Sequence, residues 1–577
     1  MSARRRMFVI GSLVALAAFF AVFLAWPILY VLKGSVTSEG RGTLEFFRST
    51  FADPVMRRSI VNSLMLGVVV TLVTTVVALP LALVSVRRDF AGRKWVSALA
   101  MLPLILPPFV GAIGMRQMFA RGGSVNLVLD HLFYAVTWCL AQVGLMDVPW
   151  HMPPIAWMSD AGFWGVVVLS VLHLYPIMYL NVAASLASVD RSQEEAAYNL
   201  GASRWNVFRR ITFPMMLPGY FAGSSIVFIW AFTDLGTPLV LRYWDVIPVQ
   251  IFNSASSAGD RGKAGALVVM VLLLTTLAFV GARLFVRLRS HGASTKGTVG
   301  ESLKRATPGG TALIWVFLGL LTFLAVIPHV AVVLTSLSAT GGWNDTVLPT
   351  SLTFEHYGEM IERGALHVVG NSMLYSLMAT GGALVMGVLI AWLLTRESFR
   401  GRSALDATVM MPLALPGIIL AYGYLMCFVH GPLDPMGNAV PLLVIGYIVR
   451  RLPYMVRAAV AGFQHVSASL EEASRNLGAG AWMTLRRITL PLVLAGLVAG
   501  AVLTFVFSMF EVSQSVMLAQ NPSRFPITRM LYKILAEQQN GEQMACAVGV
   551  LGMFVLAGGL LIAGRFLGRR MGEIFRA

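Results

Sequence analysis

Two stretches of this chain are nearly identical: EEAAYNLGASRWNVFRRITFP at residues 194–214 and EEASRNLGAGAWMTLRRITLP at residues 471–491. They align without a gap at an offset of 277 residues, from Pro214 to Pro491. Self-similarity at a fixed offset is the signature of a duplicated structural unit. We therefore predict two homologous halves, each with one copy of this segment.

A second match supports the duplication and shows where the halves differ. Asn62-Ser63 pairs with Asn371-Ser372 at an offset of 309 residues. Two proline pairs share that offset: Pro103 with Pro412, and Pro107 with Pro416. The offsets 309 and 277 differ by 32 residues. We expect these additional residues of the first half to lie within 120–162.

The sequence around both segments is strongly apolar. Hydrophobic residues make up 57% of the 577 residues, charged residues only 12%, and the mean hydropathy is +0.74. Because an ordinary globular chain has about 25% charged residues, a soluble protein is excluded. The apolar runs reach about 20 residues, which is enough for helices to cross a bilayer, whereas barrel strands would alternate polar and apolar residues. The net charge of +17 then indicates basic cytoplasmic loops rather than nucleic-acid binding.

We predict an all-α polytopic membrane protein with about twelve transmembrane helices in two six-helix halves, embedded in membrane lipid. The predicted spans are 8–32, 60–85, 97–118, 163–183, 217–241 and 264–286, then 312–335, 367–394, 404–428, 438–461, 492–518 and 545–567. The first half covers 1–290, a basic linker rich in Gly, Ser and Thr covers 291–310, and the second half covers 311–577.

The charges of the loops predict the orientation. Basic residues follow the second and eighth spans and occur in the tail: Arg87, Arg88, Arg93 and Lys94; Arg396, Arg400 and Arg402; Arg569, Arg570 and Arg576. Since Lys and Arg favour cytoplasmic loops, both termini and both repeated segments are expected inside. One expected external loop fits poorly because it is basic: Lys33, Arg41, Arg48, Arg57 and Arg58.

Both repeated segments match the EAA loop, EAA-x3-G-x9-I-x-L-P, of permease subunits of binding-protein-dependent ABC importers. The first copy has Phe213 in place of Leu, and the second has Ser474 in place of the second Ala. The match covers nearly the whole chain, which most resembles the fused two-half permeases of the ferric-iron, polyamine, thiamine and phosphonate group. This resemblance implies the type I ABC importer permease fold in the bacterial inner (cytoplasmic) membrane.

The resemblance also implies partners and coupling residues. In relatives this loop is a coupling helix seated in an ATPase subunit, with two ATPase copies per importer and a periplasmic or lipid-anchored substrate-binding protein outside. The resemblance implies an ATPase-coupling role for eight residues of the two loops: Glu194, Glu195, Ala196, Gly201, Glu471, Glu472, Ala473 and Gly478. Pro214 and Pro491 are expected to begin the following spans, where a missing N–H costs little.

The sequence contains no nucleotide-binding motif of the form G-x4-G-K-[ST] and no recognisable catalytic set. We therefore expect a transport subunit rather than an enzyme, with no cofactor bound by this chain. ATP-Mg and its hydrolysis are expected on the separate ATPase subunit.

Ionisable residues within spans are costly and therefore mark a candidate translocation path. Asp234 and Glu511 lie in the fifth and eleventh spans at equivalent positions, 277 residues apart. An acidic pair facing a central cavity would favour a cation, with Thr237 and Gln514 as neighbouring polar groups. No permanent metal site is predicted, only transient Fe(III) contact at the two acids. Gating or helix packing is the alternative role for the pair.

Arginines in the tenth span oppose a simple cation path. Arg450, Arg451 and Arg457 interrupt its apolar run, and His173 is the equivalent of Arg450 in the first half. We include Arg450 in the predicted path. These arginines could meet an anionic substrate, pair with Asp234 or Glu511, or extend along the helix toward water.

The expected function is the permease of an ATP-driven importer, with ferric iron as the first candidate substrate. This substrate is favoured by the acidic pair and by FTDLGTP at residues 232–238, which looks like iron-type permeases. The alternatives within the same machinery are 2-aminoethylphosphonate, polyamine and thiamine. An ion-coupled secondary transporter also often has repeated halves, but it would not need two EAA loops.

Overall fold

The chain folds into a bundle of long helices in this computed structural model, which describes residues 3–38, 41–105, 107–155, 157, 162–256, 261–289, 304–343, 345–537 and 541–567. Most of the expected linker and the basic tail at 569–576 lie outside the described residues.

The helices of the first half are α1 Ala3–Phe20, α2 Trp26–Val36, α3 Glu45–Ala52, α4 Pro54–Arg87, α5 Arg93–Ile105, α6 Pro108–Phe119, α7 Ser124–Gln142, α8 Phe163–Ala187, α9 Arg191–Asn199, α10 Arg204–Val207, α11 Phe213–Thr233, α12 Gly236–Val240, α13 Ile247–Ser256 and α14 Arg261–Arg289. Two π-helical turns, Ala21–Ala25 and Phe208–Thr212, join helices of this half end to end.

The helices of the second half are α15 Pro308–Leu337, α16 Glu355–Glu362, α17 Ala365–Arg396, α18 Arg402–Ala414, α19 Gly417–Phe428, α20 Pro435–Asn438, α21 Val440–His465, α22 Ala468–Asn476, α23 Ala481–Thr484, α24 Leu490–Met509, α25 Ser513–Leu518, α26 Ile527–Glu537 and α27 Gly541–Leu567. A π-helical turn spans Leu485–Thr489, and a short 3-10 turn spans Pro522–Arg524. The strands are two residues each: β1 Thr37–Ser38, β2 Arg41–Gly42, β3 Arg88–Asp89 and β4 Lys304–Arg305.

The described residues contain nine helical segments that are long and apolar enough to cross a membrane, and two bent helix pairs raise the number to eleven. One of these pairs, α18 with α19, bends by 99°. The tenth expected span, 438–461, is not among these segments. It corresponds to the 26-residue helix α21, which carries Arg450, Arg451 and Arg457 in its interior. The fold is therefore that of the polytopic helical protein expected from the sequence.

Polar side chains cap the start of two of the long apolar helices, α4 and α15. The Asp53 side chain accepts a hydrogen bond from the backbone N–H of Val55 at 2.8 Å, and α4 begins at Pro54. Thr307 caps α15 in the same way by accepting from the N–H of Gly310 at 3.1 Å. Caps of this kind satisfy N–H groups that the first helical turn leaves unpaired.

The two halves have the same central packing. In the first half α4, α8 and α11 pack on one another, and in the second half α17, α21 and α24 do the same. The segment expected to hold the additional residues of the first half contains α7, a 19-residue helix. At the corresponding place the second half has only α20, which is four residues long.

The first span of each half packs against the other half. Helix α2 contacts α19, and the Tyr424 hydroxyl donates a hydrogen bond to the Phe23 carbonyl at 2.8 Å. Reciprocally, α15 packs along α6 of the first half. Such interlocking buries apolar surface between the halves, so the linker does not separate two independently packed units.

Contacts between loops place several segments on the same side of the bundle. Strand β4, at the end of the linker, pairs in parallel with β3 in the loop between α4 and α5. Arg5 near the N-terminus pairs with Glu397 in the loop after α17 at 2.5 Å. Arg58 belongs to the basic loop that fits the expected orientation poorly. Its Nη1 lies 3.4 Å from Oδ2 of Asp245, so this ion pair partly compensates its positive charge.

Candidate functional site

The two repeated loops form matching short helices, α9 and α22, that end in the same way. Asp190 caps α9 by accepting from the N–H of Ser192 at 2.9 Å. Each helix is followed by a glycine with positive φ, +81° at Gly201 and +85° at Gly478. Since L side chains rarely adopt this left-handed conformation, glycine is needed for the chain to reverse toward the next helix.

These loops present their outer faces to solvent. The described side chains of Glu195, Ala196, Glu472 and Ala473 are exposed. Leu200 and Leu477, at equivalent positions just before the two glycines, are each 89% exposed. A single exposed leucine is common on protein surfaces, but an exposed leucine and an exposed carboxylate in the same loop of both halves form a repeated surface feature.

The first glutamate of each repeated segment points into the protein instead. Glu194 Oε1 accepts from Arg87 Nη2 at 2.9 Å and from the Thr212 hydroxyl at 2.6 Å. The sequence predicted one coupling role for both glutamates of each segment, whereas the structure gives them different surroundings. Adjacent helical residues point about 100° apart, so Glu195 can face solvent while Glu194 faces the bundle.

The same arrangement recurs in the second half. Glu471 Oε1 accepts from Arg396 Nε at 3.2 Å and from the Thr489 hydroxyl at 3.0 Å. Arg396 also donates from Nη2 to the carbonyls of Phe463 and Val466, at 3.1 and 2.8 Å. The repeat offsets could have revealed this cluster, because Arg87 matches Arg396 at 309 and Thr212 matches Thr489 at 277.

Pro214 and Pro491 are the second residues of α11 and α24, so they stand at the start of these helices as expected, but the chain is already helical before them. Pro214 and Pro491 lie inside helical segments that already begin at Arg204 and Ala481, and each proline follows a π-helical turn. A proline ring clashes with the carbonyl four residues before it in a regular α-helix. The wider π-helical turn accommodates the ring without ending the helix.

A cavity of about 170 Å³ lies where the two halves meet. Its polar lining comes from both halves: Ser170, His173, Thr233, Asp234 and Thr237 from the first, and Arg450, Arg451, Glu511 and Ser513 from the second. Aromatic walls are provided by Trp230, Phe507 and Phe510. The structure thus brings together six residues singled out from the sequence: His173, Asp234, Thr237, Arg450, Arg451 and Glu511.

The two acids lie at equivalent breaks in their helices. Helix α11 ends at Thr233 and α12 begins at Gly236, and likewise α24 ends at Met509 and α25 begins at Ser513. Asp234 Oδ1 accepts from the N–H of Gly236 at 3.0 Å. Broken helices leave backbone groups free to line a cavity, which is tolerated in a membrane only where they are buried in protein or face water.

Glu511 is held by two arginines from α21. Arg450 Nη1 lies 2.7 Å from both carboxylate oxygens, and Arg451 Nη2 lies 2.5 Å from Oε2. Arg451 also donates to the Phe507 carbonyl at 2.9 Å. This pairing is one of the three possibilities that the sequence left open for these arginines.

Asp234 has different neighbours, although its position is equivalent. In the first half, His173 and Leu174 stand where the second half has Arg450 and Arg451. A ring nitrogen of His173, Nδ1, lies 3.1 Å from the Pro103 carbonyl. Within the described ranges no basic side chain forms an ion pair with Asp234. The cavity therefore holds one carboxylate neutralised by arginines and one without such a partner.

The two polar neighbours predicted from the sequence are placed differently. Thr237 lines the cavity. Gln514 is fully buried, with its side chain against Gly446. Across the part of the chain that the structure describes, no three His, Cys, Asp or Glu side chains gather into a group that could hold a metal ion.

Gly417 gives the Arg450 guanidinium its space. A Cβ at this position would lie 2.2 Å from Arg450 Nη1. We expect Gly417→Ala to displace the guanidinium from Glu511 and to lower the free energy of unfolding by about 1–3 kcal/mol, the usual cost of overpacking. Thermal unfolding in detergent measures this, with Gly381→Ala in α17 as the control because no atom lies within 4 Å of its added Cβ. Equal melting temperatures for the two variants would contradict the prediction.

Comparison with known proteins places this geometry in context. The model of the family described as binding-protein-dependent transport system inner membrane component matches residues 74–291 and 383–575. The putative ferric transport system permease protein FbpB 1 of Haemophilus influenzae is 29% identical over 543 residues, covering 91% of this chain and 80% of the relative. The ferric transport system permease protein FbpB of Actinobacillus pleuropneumoniae is also 29% identical, covering 95% and 77%.

A shorter relative is the molybdenum transport system permease protein ModB of Escherichia coli K12. It is 30% identical over 205 residues, which cover 33% of this chain and 89% of the relative. A match of this extent is what a single half of a duplicated chain gives.

Proposed function

Because this chain belongs to the inner-membrane components of binding-protein-dependent transport systems, with the family model matching once in each half, we propose that it is the pathway through which an ATP-driven importer moves ferric iron into the cell. The chain is a transport subunit and a multi-pass membrane protein. Ferric iron is proposed because both full-length relatives described above are ferric transport permeases by name. Those relatives favour iron over 2-aminoethylphosphonate, polyamine and thiamine.

The observation that carries the ATP-driven part of the proposal is the pair of matching exposed helices, α9 and α22. Each presents a carboxylate and a leucine, Glu195 with Leu200 and Glu472 with Leu477. Two equivalent protrusions suit two copies of one ATPase subunit, since a symmetric dimer offers two identical receptor surfaces. ATP-Mg would be bound and hydrolysed there, and this chain would hold no cofactor.

The remaining partners and the orientation follow from this arrangement. The side of α9, α22, β3 and β4 would be cytoplasmic, in agreement with the basic residues of its loops. Both termini would lie on that side of the bacterial inner membrane. A periplasmic or lipid-anchored binding protein would deliver the substrate to the opposite face. ATP-driven closure of the ATPase dimer would then switch the cavity between the two sides of the membrane.

Within the cavity, Asp234 is the carboxylate open to transient contact with the iron ion. Glu511 would join it only after releasing Arg450 or Arg451, since both of its oxygens are bound. This release would couple iron passage to a rearrangement between α21 and α24. Thr237 and Ser513 provide further oxygen atoms at the cavity wall.

Reconstitution tests the proposed function. The chain, the ATPase and the binding protein are placed in proteoliposomes, and radioactive ferric iron bound to the binding protein is supplied outside. We expect uptake that requires ATP inside and persists when an uncoupler abolishes ion gradients. Uptake that instead collapses with the uncoupler and survives without ATP would indicate a secondary transporter.

The same vesicles test the substrate. Molybdate, 2-aminoethylphosphonate, spermidine and thiamine are supplied in turn with the binding protein, and none is expected to accumulate. Asp234→Ala combined with Glu511→Ala is expected to abolish iron uptake. Unchanged uptake by this double variant would exclude a cation site formed by the two acids.

A further inference from the structure

We propose that Glu194 and Glu471 are positioning residues that fasten each coupling helix to the helix that carries the cavity acid, so that movement of one drives the other. The proposal rests on the proposed function, because it concerns how force from an ATPase would reach the cavity. It gives the two glutamates of each repeated segment separate tasks: the second would meet the ATPase, and the first would connect the coupling helix to the transmembrane bundle.

Each of these glutamates connects three separate elements through one carboxylate oxygen. In the first half, Glu194 of α9 binds Arg87 at the end of α4 and Thr212 at the start of the span that contains α11. In the second half, Glu471 of α22 binds Arg396 at the end of α17 and Thr489 before α24. We call each group of Glu, Arg and Thr a clamp.

The clamps are shielded from water, so their bonds are stronger than those of exposed ion pairs. The side chains of Glu194 and Arg87 are 13% and 17% exposed, and those of Glu471 and Arg396 are 9% and 15% exposed. Exposed ion pairs contribute little to the free energy of folding. Removing one partner of a buried ion pair, in contrast, destabilises the fold because the remaining charge is left without compensation. The contacts are therefore suited to hold while the helices move.

Each clamp threonine lies in a π-helical turn, and the two turns are at equivalent positions, 208–212 and 485–489. A π-helical turn contains one residue more per turn than an α-helix, and such turns are often found at functional sites. In both turns the last residue is the threonine that donates to the glutamate. The backbone distortion thus occurs where the coupling helix is attached.

The helix on the membrane side of each turn leads directly to a cavity acid. Helix α11 runs from the first turn to Asp234, and α24 runs from the second turn to the break before Glu511. A displacement of α9 or α22 would pull on the base of a helix whose other end borders the cavity. The arginine of the clamp would transfer the same displacement to α4 or α17.

The test compares two sets of variants in the reconstituted importer. Glu194→Gln with Glu471→Gln removes the clamp charge and keeps the shape, and Thr212→Val with Thr489→Val removes only the hydroxyls. We expect the amount of iron transported per ATP hydrolysed to fall by about tenfold in the first set, within the usual range for one coupling interaction. The valine set should show a smaller loss. Thr212→Ser with Thr489→Ser keeps the hydroxyls and should restore the wild-type ratio.

Assembly is measured alongside by co-purification of the ATPase. The clamp variants are expected to bind the ATPase normally, whereas Glu195→Gln with Glu472→Gln should weaken binding. A wild-type ratio of transport to hydrolysis in both clamp sets would overturn the proposal, as would loss of transport explained entirely by lost assembly. If the glutamine set does not fold, the valine and serine sets decide. Failure of the proposed function is distinct, because the wild-type vesicles would then show no ATP-dependent uptake.

Discussion

Glu511→Ala is expected to be the most damaging single substitution in the cavity. It leaves the buried Arg451 and the partly buried Arg450 without their counter-charge, because both arginines bind this one carboxylate. Removing one partner of a buried ion pair costs about 3–5 kcal/mol. We therefore expect a strongly lowered thermal unfolding temperature in detergent and no iron uptake in proteoliposomes.

Asp234→Ala is the matched control for that loss of stability. It removes a carboxylate at the equivalent break but leaves no arginine unpaired, so its melting temperature should be much closer to that of the wild type. Iron uptake should still fall, since Asp234 is the acid proposed to be open to the ion. An equal loss of stability in the two variants would show that the arginines do not determine the effect.

A compensating variant separates charge from packing. Arg450→Met, Arg451→Met and Glu511→Leu together replace the buried ions by apolar side chains of similar size. Buried ion groups can often be replaced in this way with little loss of stability. We expect the triple variant to melt near the wild-type temperature and to transport no iron, which would assign the cluster to transport rather than to folding.

The two cavity acids, Asp234 and Glu511, show which features of the site can be predicted from the sequence. The repeat offset identified Asp234 and Glu511 as equivalent, and hydropathy placed both acids within predicted spans. The arginine partners of Glu511 are about 60 residues away along the chain, on α21. Which acid they reach depends on how α21 packs against α24, and this non-local geometry is not encoded in any local pattern.

The different orientations of the two glutamates in each repeated segment were also not predicted from the sequence. The repeat and the motif spacing identified the two loops, but two adjacent glutamates look alike in a sequence. Their different directions arise from the position of α9 and α22 against the ends of α4 and α17. The interlocking of α2 with α19 and of α15 with α6 was likewise not predicted, since apolar periodicity marks a buried face without naming its partner.

Leu200→Asp combined with Leu477→Asp is expected to abolish assembly with the proposed ATPase. Both leucines are 89% exposed, so the fold does not depend on them, whereas a central apolar contact typically contributes about 2 kcal/mol or more at an interface. Losing two such contacts corresponds to roughly a thousandfold weaker binding. The measurement is the affinity of the purified chain for the ATPase, with an unchanged melting temperature confirming the fold.

Leu348→Asp is the control for this experiment. Leu348 is 62% exposed in the loop that follows α15, and the opposite end of α15 begins beside β4, on the side proposed to be cytoplasmic. Its substitution should leave ATPase binding intact. Normal binding by the double variant would show that the ATPase contacts another part of the chain. The two exposed leucines would then have no role in assembly. Partial loss in each single variant, with complete loss in the double variant, is the pattern that two equivalent attachment points require.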